Sequence, residues 1–303
     1  MAEYKLTLLG FGNVGKALAR LLKRKENELN KELDIQYRIV AVATGSHGRA
    51  INPEGLNIDE LLSTLEKGDS LDTLSTISAP SDNLAFIQAS GADVLFENTP
   101  VSYEDGQPAI DHIKAALSEN MHVATANKGP VVHGYRELSD LALSRDKKFF
   151  FESTVMDGAP VFSVFRVLPA ANIQSISGVL NSTTNLILSQ MEEGNSFGDA
   201  VAYAQSIGIA ETDPSGDVDG WDAAIKISAL IAVLMNTPYT PEMVEREGIR
   251  NITPGKIAAA KAAGKRWKLV CTARREGNKI SAKVSPQMVD PRNPMFTVDG
   301  TTS

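Results

Sequence analysis

The chain has a single cysteine, Cys271, in 303 residues, so no intrachain disulfide can staple it. That scarcity fits a reducing compartment, and a cytoplasmic location is the expectation. Cys271 lies in Lys268-Leu-Val-Cys-Thr-Ala, which reads as a strand, where a small buried residue describes it better than a nucleophile. No apolar run reaches membrane-spanning length. The N-terminus has no signal-peptide layout, because a glycine-rich turn interrupts its apolar stretch at once. Positive charge is also scarce: 30 Lys and Arg against 37 Asp and Glu give a net charge of -7, which argues against a general nucleic-acid partner. There is no internal repeat and no low-complexity linker. What remains is 43% hydrophobic and 22% charged, the composition of an ordinary soluble globular protein, and it is long enough for two domains or one large one.

The first half alternates short apolar strands with helical stretches. Lys5–Leu9, Arg38–Ala43, Asp93–Glu97, His122–Thr125 and Phe149–Glu152 read as strands. Asn13–Leu29, Ile58–Leu65, Gln107–Ser118 and Tyr135–Ser144 read as helices between them. Strands this short, with helices between, predict a doubly wound parallel sheet in a domain spanning residues 1–150. Residues 151–303 differ. Ile173–Val179 reads as a strand, and Thr184–Met191, Phe197–Ser206, a long helix from Trp221, and Lys256–Ala263 read as helices. Trp267–Arg274 and Lys279–Val284 read as an antiparallel pair joined by a turn at Glu276-Gly-Asn. The expectation is an α/β first domain and an α+β second domain.

Leu6-Thr-Leu-Leu-Gly10-Phe11-Gly12-Asn13-Val14-Gly15 matches G-x-G-x-x-G between a strand and a helix. Gly10 would make the tight turn, Gly12 would admit a pyrophosphate, and Gly15 would let helix and strand pack closely. The phosphates would sit on the helix N-terminus, in a Rossmann-type domain. An ordinary glycine-rich turn is the plainer reading. An NAD reader would be an acidic residue at the end of the second strand. That end reads Val40-Ala-Val-Ala-Thr44-Gly-Ser46-His47-Gly-Arg49, with no carboxylate. Ser46, His47 and Arg49 favour a 2′-phosphate, hence NADP over NAD, unless the loop is merely solvated.

The most telling stretch runs from Glu211 to Lys226, with five carboxylates and one lysine entering an apolar helix. From Ala223 to Met235 the only polar side chains are Lys226 and Ser228. A helix apolar all round is usually buried, and a lysine is rarely buried without a partner. Asp222 lies four residues before Lys226, on the same face. A desolvated lysine beside a carboxylate suits acid/base chemistry, and a structural ion pair at a helix start is the plainer alternative.

Taken in order, these stretches resemble homoserine dehydrogenases over essentially the whole length. The resemblance is carried by the glycine loop, Thr125-Ala-Asn-Lys128-Gly-Pro, Glu152-Ser-Thr-Val155-Met-Asp157-Gly-Ala159-Pro160, Gly178-Val-Leu-Asn181-Ser-Thr183-Thr-Asn185, and Gly208 to Lys226. It implies interconversion of L-homoserine and L-aspartate 4-semialdehyde with NAD(P), feeding threonine and methionine synthesis. Lys226 would be the general acid/base, oriented by Asp222, with Lys128 at the cofactor and substrate cleft. Glu211 and Asp222 would bind substrate; Asp217 is a further candidate, which a capping or loop anion describes as well. Asp213 and Asp219 would serve turns and capping. Thr183, at a helix N-terminus, would contact the substrate carboxylate, or the site is an ordinary cap. Thr99 joins Gly10, Phe11, Gly12, Asn13, Val14, Gly15, Lys128 and Arg49 as an implied cofactor contact. Glu152 with the carbonyls of Val155, Asp157 and Ala159 would hold a sodium ion, although Met156-Asp157 replaces the usual consecutive glycines. The family also implies a homodimer formed through the second domain.

The resemblance further implies a stand-alone form with no attached kinase or amino-acid-sensing domain. Members usually continue past the equivalent of Ser303 with a strand and helix that return toward the first domain. Two rivals stand beside this reading: another Rossmann-type oxidoreductase, and a dinucleotide-binding sensor without catalysis. A phosphorylating aldehyde dehydrogenase needs a cysteine nucleophile at a turn, which Cys271 does not supply. An imine reductase has no use for the Glu211–Lys226 pattern, and a sensor has none for the Asp222–Lys226 pair.

Overall fold

Residues 2–303 are described by a computed structural model. Contacts divide the chain into two units, one ending at Thr154 and one running from Val155 to Ser303. The first contains β1 (Ala2–Leu9), α1 (Asn13–Glu32), β2 (Ile35–Ala43), β3 (Arg49–Ile51), α2 (Ile58–Glu66), α3 (Asn83–Ser90), β4 (Val94–Glu97), α4 (Ala109–Ser118), β5 (His122–Thr125), α5 (Lys128–Ser144) and β6 (Phe149–Phe150). Its sheet runs β3-β2-β1-β4-β5-β6, the order of a dinucleotide-binding doubly wound fold. Every pairing is parallel except β2 with β3, which is antiparallel. Leu6, Leu8, Ile39 and Val42 enter the core with Phe11 and Ala19, sealed by Leu56, Leu61 and Leu71.

Some elements differ from the sequence expectation. β3 continues from β2 through a tight hairpin, so the outermost strand arrives by a turn and needs no crossover helix. The strand expected at Phe149–Glu152 shortens to two residues, followed by a 3-10 turn over Glu152–Thr154. α5 starts seven residues earlier than Tyr135, at Lys128. Gly129-Pro130 reads as a helix breaker, but proline in a first turn lacks only an N–H that has no intrahelical partner there. α3 was not anticipated. Asp82 caps it by accepting the Ala85 N–H at 2.9 Å, and Gly91 ends it in the left-handed region.

The second unit contains α6 (Val161–Arg166), β7 (Ser175–Gly178), α7 (Ser182–Glu192), α8 (Phe197–Ser206), α9 (Ser215–Val218), α10 (Trp221–Leu234), β8 (Glu245–Arg246), α11 (Pro254–Ala262), β9 (Arg266–Glu276) and β10 (Lys279–Val289). Its sheet runs β7-β9-β10-β8. The β9–β10 hairpin pairs from Lys279 with Glu276 to Val289 with Arg266, longer than the sequence suggested. α10 packs on this sheet and is buried from Ala223 to Val233 except at Lys226. Among the described residues no helix is long and apolar enough to cross a membrane.

Candidate active site

In the first unit the glycine loop has the shape a dinucleotide requires. Gly10 takes φ +93°, and a Cβ there would overlap the Asn98 carbonyl and stand 2.9 Å from the Thr99 nitrogen. The loop is pinned by Gly10 N–H donating to Ala43 O (3.0 Å) and Asn98 N–H donating to Leu9 O (2.7 Å). A Cβ on Gly15 would stand 2.7 Å from Gly10 O, whereas Gly12 faces open space. The N-terminus of α1 carries no side-chain cap and no acidic residue in its first turn, so its N–H groups suit a pyrophosphate. Asn13 and Val14 are exposed at that start, while the Phe11 side chain is buried in the core and leaves only its main chain to a ligand.

Arg49 is placed differently from the sequence expectation. Its Nη1 donates to Pro80 O (2.8 Å) and Asn83 Oδ1 (3.3 Å), and the guanidinium lies 5.5 Å from the Phe86 ring centroid. The guanidinium thus holds α3 through Nη1. Ser46 Oγ and His47 Nδ1 pair at 2.8 Å in the exposed β2–β3 turn. A carboxylate does reach this turn from elsewhere in the chain: Asp72 Oδ1 accepts the Arg49 N–H at 2.8 Å, and that bond holds the carboxyl below its ordinary range. Lys128 opens α5 just past the carboxyl end of β5, with Asn127 capping the helix through the Gly129 N–H (3.1 Å).

In the second unit four expected residues meet, with Asn181 at their centre. Lys226 Nζ lies 2.9 Å from Asp222 Oδ2 and donates to Leu180 O at 2.9 Å. Both side chains are nearly covered, at 16% and 14% exposure. Asn181 Nδ2 donates to Asp217 Oδ1 (2.6 Å) and Asp222 Oδ2 (2.9 Å). Its Oδ1 meanwhile caps α7 by accepting the Thr184 N–H at 2.7 Å. Burial pushes the Asp217 carboxyl up, Asp222 adds to this, and bonds from Asn181 and Thr183 with the charge of Lys226 pull it back. Thr183 is buried beside this cluster, in the first turn of α7. The sequence showed the Asn181 segment as a helix start; that its amide joins two carboxylates from the Glu211–Lys226 stretch was not readable there.

Glu211 is exposed on the approach to α9, its carbonyl accepting from Gln205 Nε2 (3.0 Å), and among the described residues no hydrogen bond joins its side chain to the cluster. Asp213 caps a turn through the Ser215 N–H (3.0 Å), and Asp219 pairs with Arg250. Cys271 is fully buried in β9, and burial pushes its thiol up to about 12, far from a nucleophile. Glu152 opens the 3-10 turn at the end of the first unit. In the second unit, Val155 is buried, Asp157 is exposed, Gly158 makes the turn at φ +72°, and Ala159 O accepts the Val161 N–H (2.9 Å). Among the described residues no group of three His, Cys, Asp or Glu side chains is placed to hold a metal. A set of carbonyls with one carboxylate is a different donor set, and its oxygens and single charge suit a monovalent cation.

Comparison with known proteins agrees with this geometry. The family model described as homoserine dehydrogenase matches residues 160–303, and the one described as homoserine dehydrogenase, NAD binding domain, matches residues 10–152. The chain is 34% identical over 305 residues to the NAD(+)-dependent homoserine dehydrogenase of Pseudomonas canavaninivorans, covering 100% of this chain and 87% of that protein. It is 36% identical over 267 residues to the homoserine dehydrogenase of Methanocaldococcus jannaschii, covering 88% of this chain and 79% of that one. The crystal structure of a candidate homoserine dehydrogenase from Archaeoglobus fulgidus superposes with a TM-score of 0.83 at 32% identity, covering 98% of this chain and 87% of the other.

Proposed function

Since the chain belongs to the homoserine dehydrogenase family, and is an NAD(P)-dependent oxidoreductase interconverting L-homoserine and L-aspartate 4-semialdehyde on the route to threonine and methionine, we propose that Lys226 moves the proton in that reaction. One observation carries this: Lys226 Nζ is held between Asp222 Oδ2 and Leu180 O, both at 2.9 Å. An ammonium has three N–H donors, so one direction is left for a substrate oxygen. The bound dinucleotide supplies the hydride acceptor or donor. In reduction the Lys226 ammonium gives its third proton to the forming alkoxide and is left as the neutral amine; in oxidation the neutral amine, its lone pair in that same direction, takes the homoserine hydroxyl proton. Asp222 orients the amine. Asp217 and Asp222, bridged by Asn181, form the anionic wall that receives the substrate's α-ammonium, and Glu211 is assigned to the same task. Thr183 at the start of α7 is assigned to the substrate carboxylate.

The cofactor half is assigned to Gly10, Gly12, Gly15, the main chain of Phe11, Asn13 and Val14, together with Thr99 and Lys128. Lys128 stands where open α/β sheets place their ligands, past the carboxyl end of a strand. Ser46 and His47, with no carboxylate in their own turn, favour NADP. Asp72 is the charge that opposes a 2′-phosphate there. Glu152 with the carbonyls of Val155, Asp157 and Ala159 is assigned to sodium, checked by comparing rates in sodium and in a bulky organic cation. A homodimer through the second unit is supported by the free edge strand β7 and by exposed Val164, Val167 and Leu168, and light scattering checks it. A cytoplasmic location, consistent with one buried cysteine, is open to fractionation.

The first experiment follows nicotinamide absorbance as L-homoserine meets the protein with NAD or with NADP, for the parent and Lys226→Ala. The expected result is turnover in the parent and a loss of about 100-fold or more in kcat for the variant, with dinucleotide binding kept. A variant that stays near the parental kcat removes Lys226 from the proton step.

A further inference from the structure

Glu97 closes β4 at 0% exposure, yet the hydride-transfer scheme gives it no task. A buried carboxylate is costly unless donors surround it. Here they do. Thr99 aims both its N–H (3.1 Å) and its hydroxyl at Oε1. Thr125 Oγ1 lies 3.1 Å from Oε2 and 2.9 Å from the Glu97 carbonyl. The buried His112 Nδ1 stands 3.7 Å from Oε1, too far for a hydrogen bond. The orientation of that imidazole follows from its other neighbour. Arg49 donates to Asn83 Oδ1, which leaves Asn83 Nδ2 to donate to His112 Nε2 at 3.1 Å and puts the ring proton on Nδ1, facing Glu97.

What these bonds hold is the edge of the dinucleotide cradle. The Asn98–Thr99 peptide is the backbone against which Gly10 fits with no room for a methyl. The Thr125 hydroxyl also accepts the Asn127 N–H (2.9 Å). Asn127 Nδ2 donates to Thr99 O (3.1 Å), and its Oδ1 caps the helix that Lys128 opens. One carboxylate therefore ties the ends of β4 and β5 and the start of α5 into a single frame.

We propose that Glu97 is a positioning residue for the nicotinamide cofactor, fixing the Asn98–Thr99 peptide against Gly10 and, through Thr125 and Asn127, the helix start that carries Lys128. The proposal rests on the reading of the glycine loop as the cofactor site. Without the carboxylate, Thr99 and the β4–α4 loop lose their anchor, and the cradle widens although the sheet beneath is unchanged. The effect falls on dinucleotide affinity, while homoserine recognition, built from α7, α9 and α10, is spared.

The test titrates reduced dinucleotide by its fluorescence and, separately, measures both Michaelis constants, for Glu97→Ala, Glu97→Gln and Thr99→Val. Glu97→Ala should weaken dinucleotide binding about tenfold or more, the worth of a lost charge-assisted bond, with the KM for homoserine within about twofold of the parent. Glu97→Gln keeps an oxygen facing Thr99 and should recover most of that affinity, which a role in stability alone does not predict. A folded Glu97→Ala that binds within twofold of the parent, or a Gln variant no better than Ala, overturns the proposal. If Glu97→Ala does not fold, Thr99→Val decides: it should bind dinucleotide several-fold more weakly at a near-parental thermal midpoint, and unchanged binding overturns the proposal. Loss of dinucleotide binding is read without homoserine, so a parent that binds dinucleotide but does not turn over homoserine counts against the catalytic assignments and leaves this one standing.

Discussion

Asp217 is a carboxylate kept out of water beside another carboxylate, and burial followed by the charge of Asp222 raises its pKa above the ordinary 3.8. The direction has a kinetic consequence. If ionised Asp217 receives the α-ammonium of homoserine, the site neutralises as pH falls through that raised pKa, at a higher pH than an ordinary aspartate would give. The KM for homoserine should therefore climb on the acid side while kcat at saturation changes less. In Asp217→Asn the KM should sit about tenfold higher at neutral pH, the worth of one charge-assisted contact, and the acid limb should flatten. Initial rates from pH 5 to 8 check this; an unchanged limb in the variant would assign it to another group. Cys271 shows the opposite use of burial. With a thiol pushed to about 12, it plays a packing part in β9 and should resist alkylation in the folded protein.

At the scale of elements, the site depends on two helix starts that meet. α10 brings Asp222 and Lys226 to one face, and α7 brings the Asn181 amide between Asp217 and Asp222. Two substitutions separate the cap from the bridge. Asn181→Ser keeps a good N-cap, so stability should hold within about 0.5 kcal/mol, whereas Asn181→Ala should cost about 1 kcal/mol. Both lose the amide that reaches the two carboxylates, so both should lower kcat/KM by about tenfold or more. Thermal melting beside steady-state kinetics checks it, and a Ser variant of parental activity would reduce Asn181 to a cap. The same elements show what the sequence carries and what it does not. The i, i+4 spacing placed Asp222 beside Lys226, and short apolar runs located β4 and β5 to within a residue, because both signals are local. The partners of Asn181 lie 36 and 41 residues away, and Arg49 meets Pro80 and Asn83 more than 30 residues on. Periodicity names the face a residue occupies, not the group across from it. That is why Arg49 read as a phosphate contact and Glu97 drew no notice, while Gly129-Pro130 hid the start of α5.

At the scale of the whole molecule, charges held away from water set how stability moves with pH, and Lys268 is the clearest case. It is fully buried in β9, with Nζ donating to Asn185 Oδ1 (2.8 Å) and to Val298 O. Asn185 Nδ2 in turn donates to Gly300 O (3.1 Å) and Thr302 O (3.2 Å), while Arg266 pairs with Glu192 and Asp299. This network fastens residues 298–302 to α7 and β9. Burial first, and then the charge of Arg266, brings the Lys268 pKa down from 10.5 to about 8, against the pull of Glu192 and Asp299. Between about 8 and 10.5 the unfolded chain therefore holds the proton that the folded chain has released. Unfolding free energy gains a rising contribution across that window, and the contribution is level on either side of it. The network survives the loss of the proton, because a neutral amine still has two N–H groups for Asn185 and Val298. Lys268→Met removes the titrating group and leaves both acceptors without a donor, so it should lower stability by about 1–3 kcal/mol. More tellingly, the gap between parent and variant should widen by about 2 kcal/mol as pH rises from 7.5 to 10. Urea unfolding of both proteins at several pH values across this interval checks it. A gap that stays constant would mean that the ammonium keeps its proton inside the fold, and that Glu192 and Asp299 outweigh burial in setting its charge.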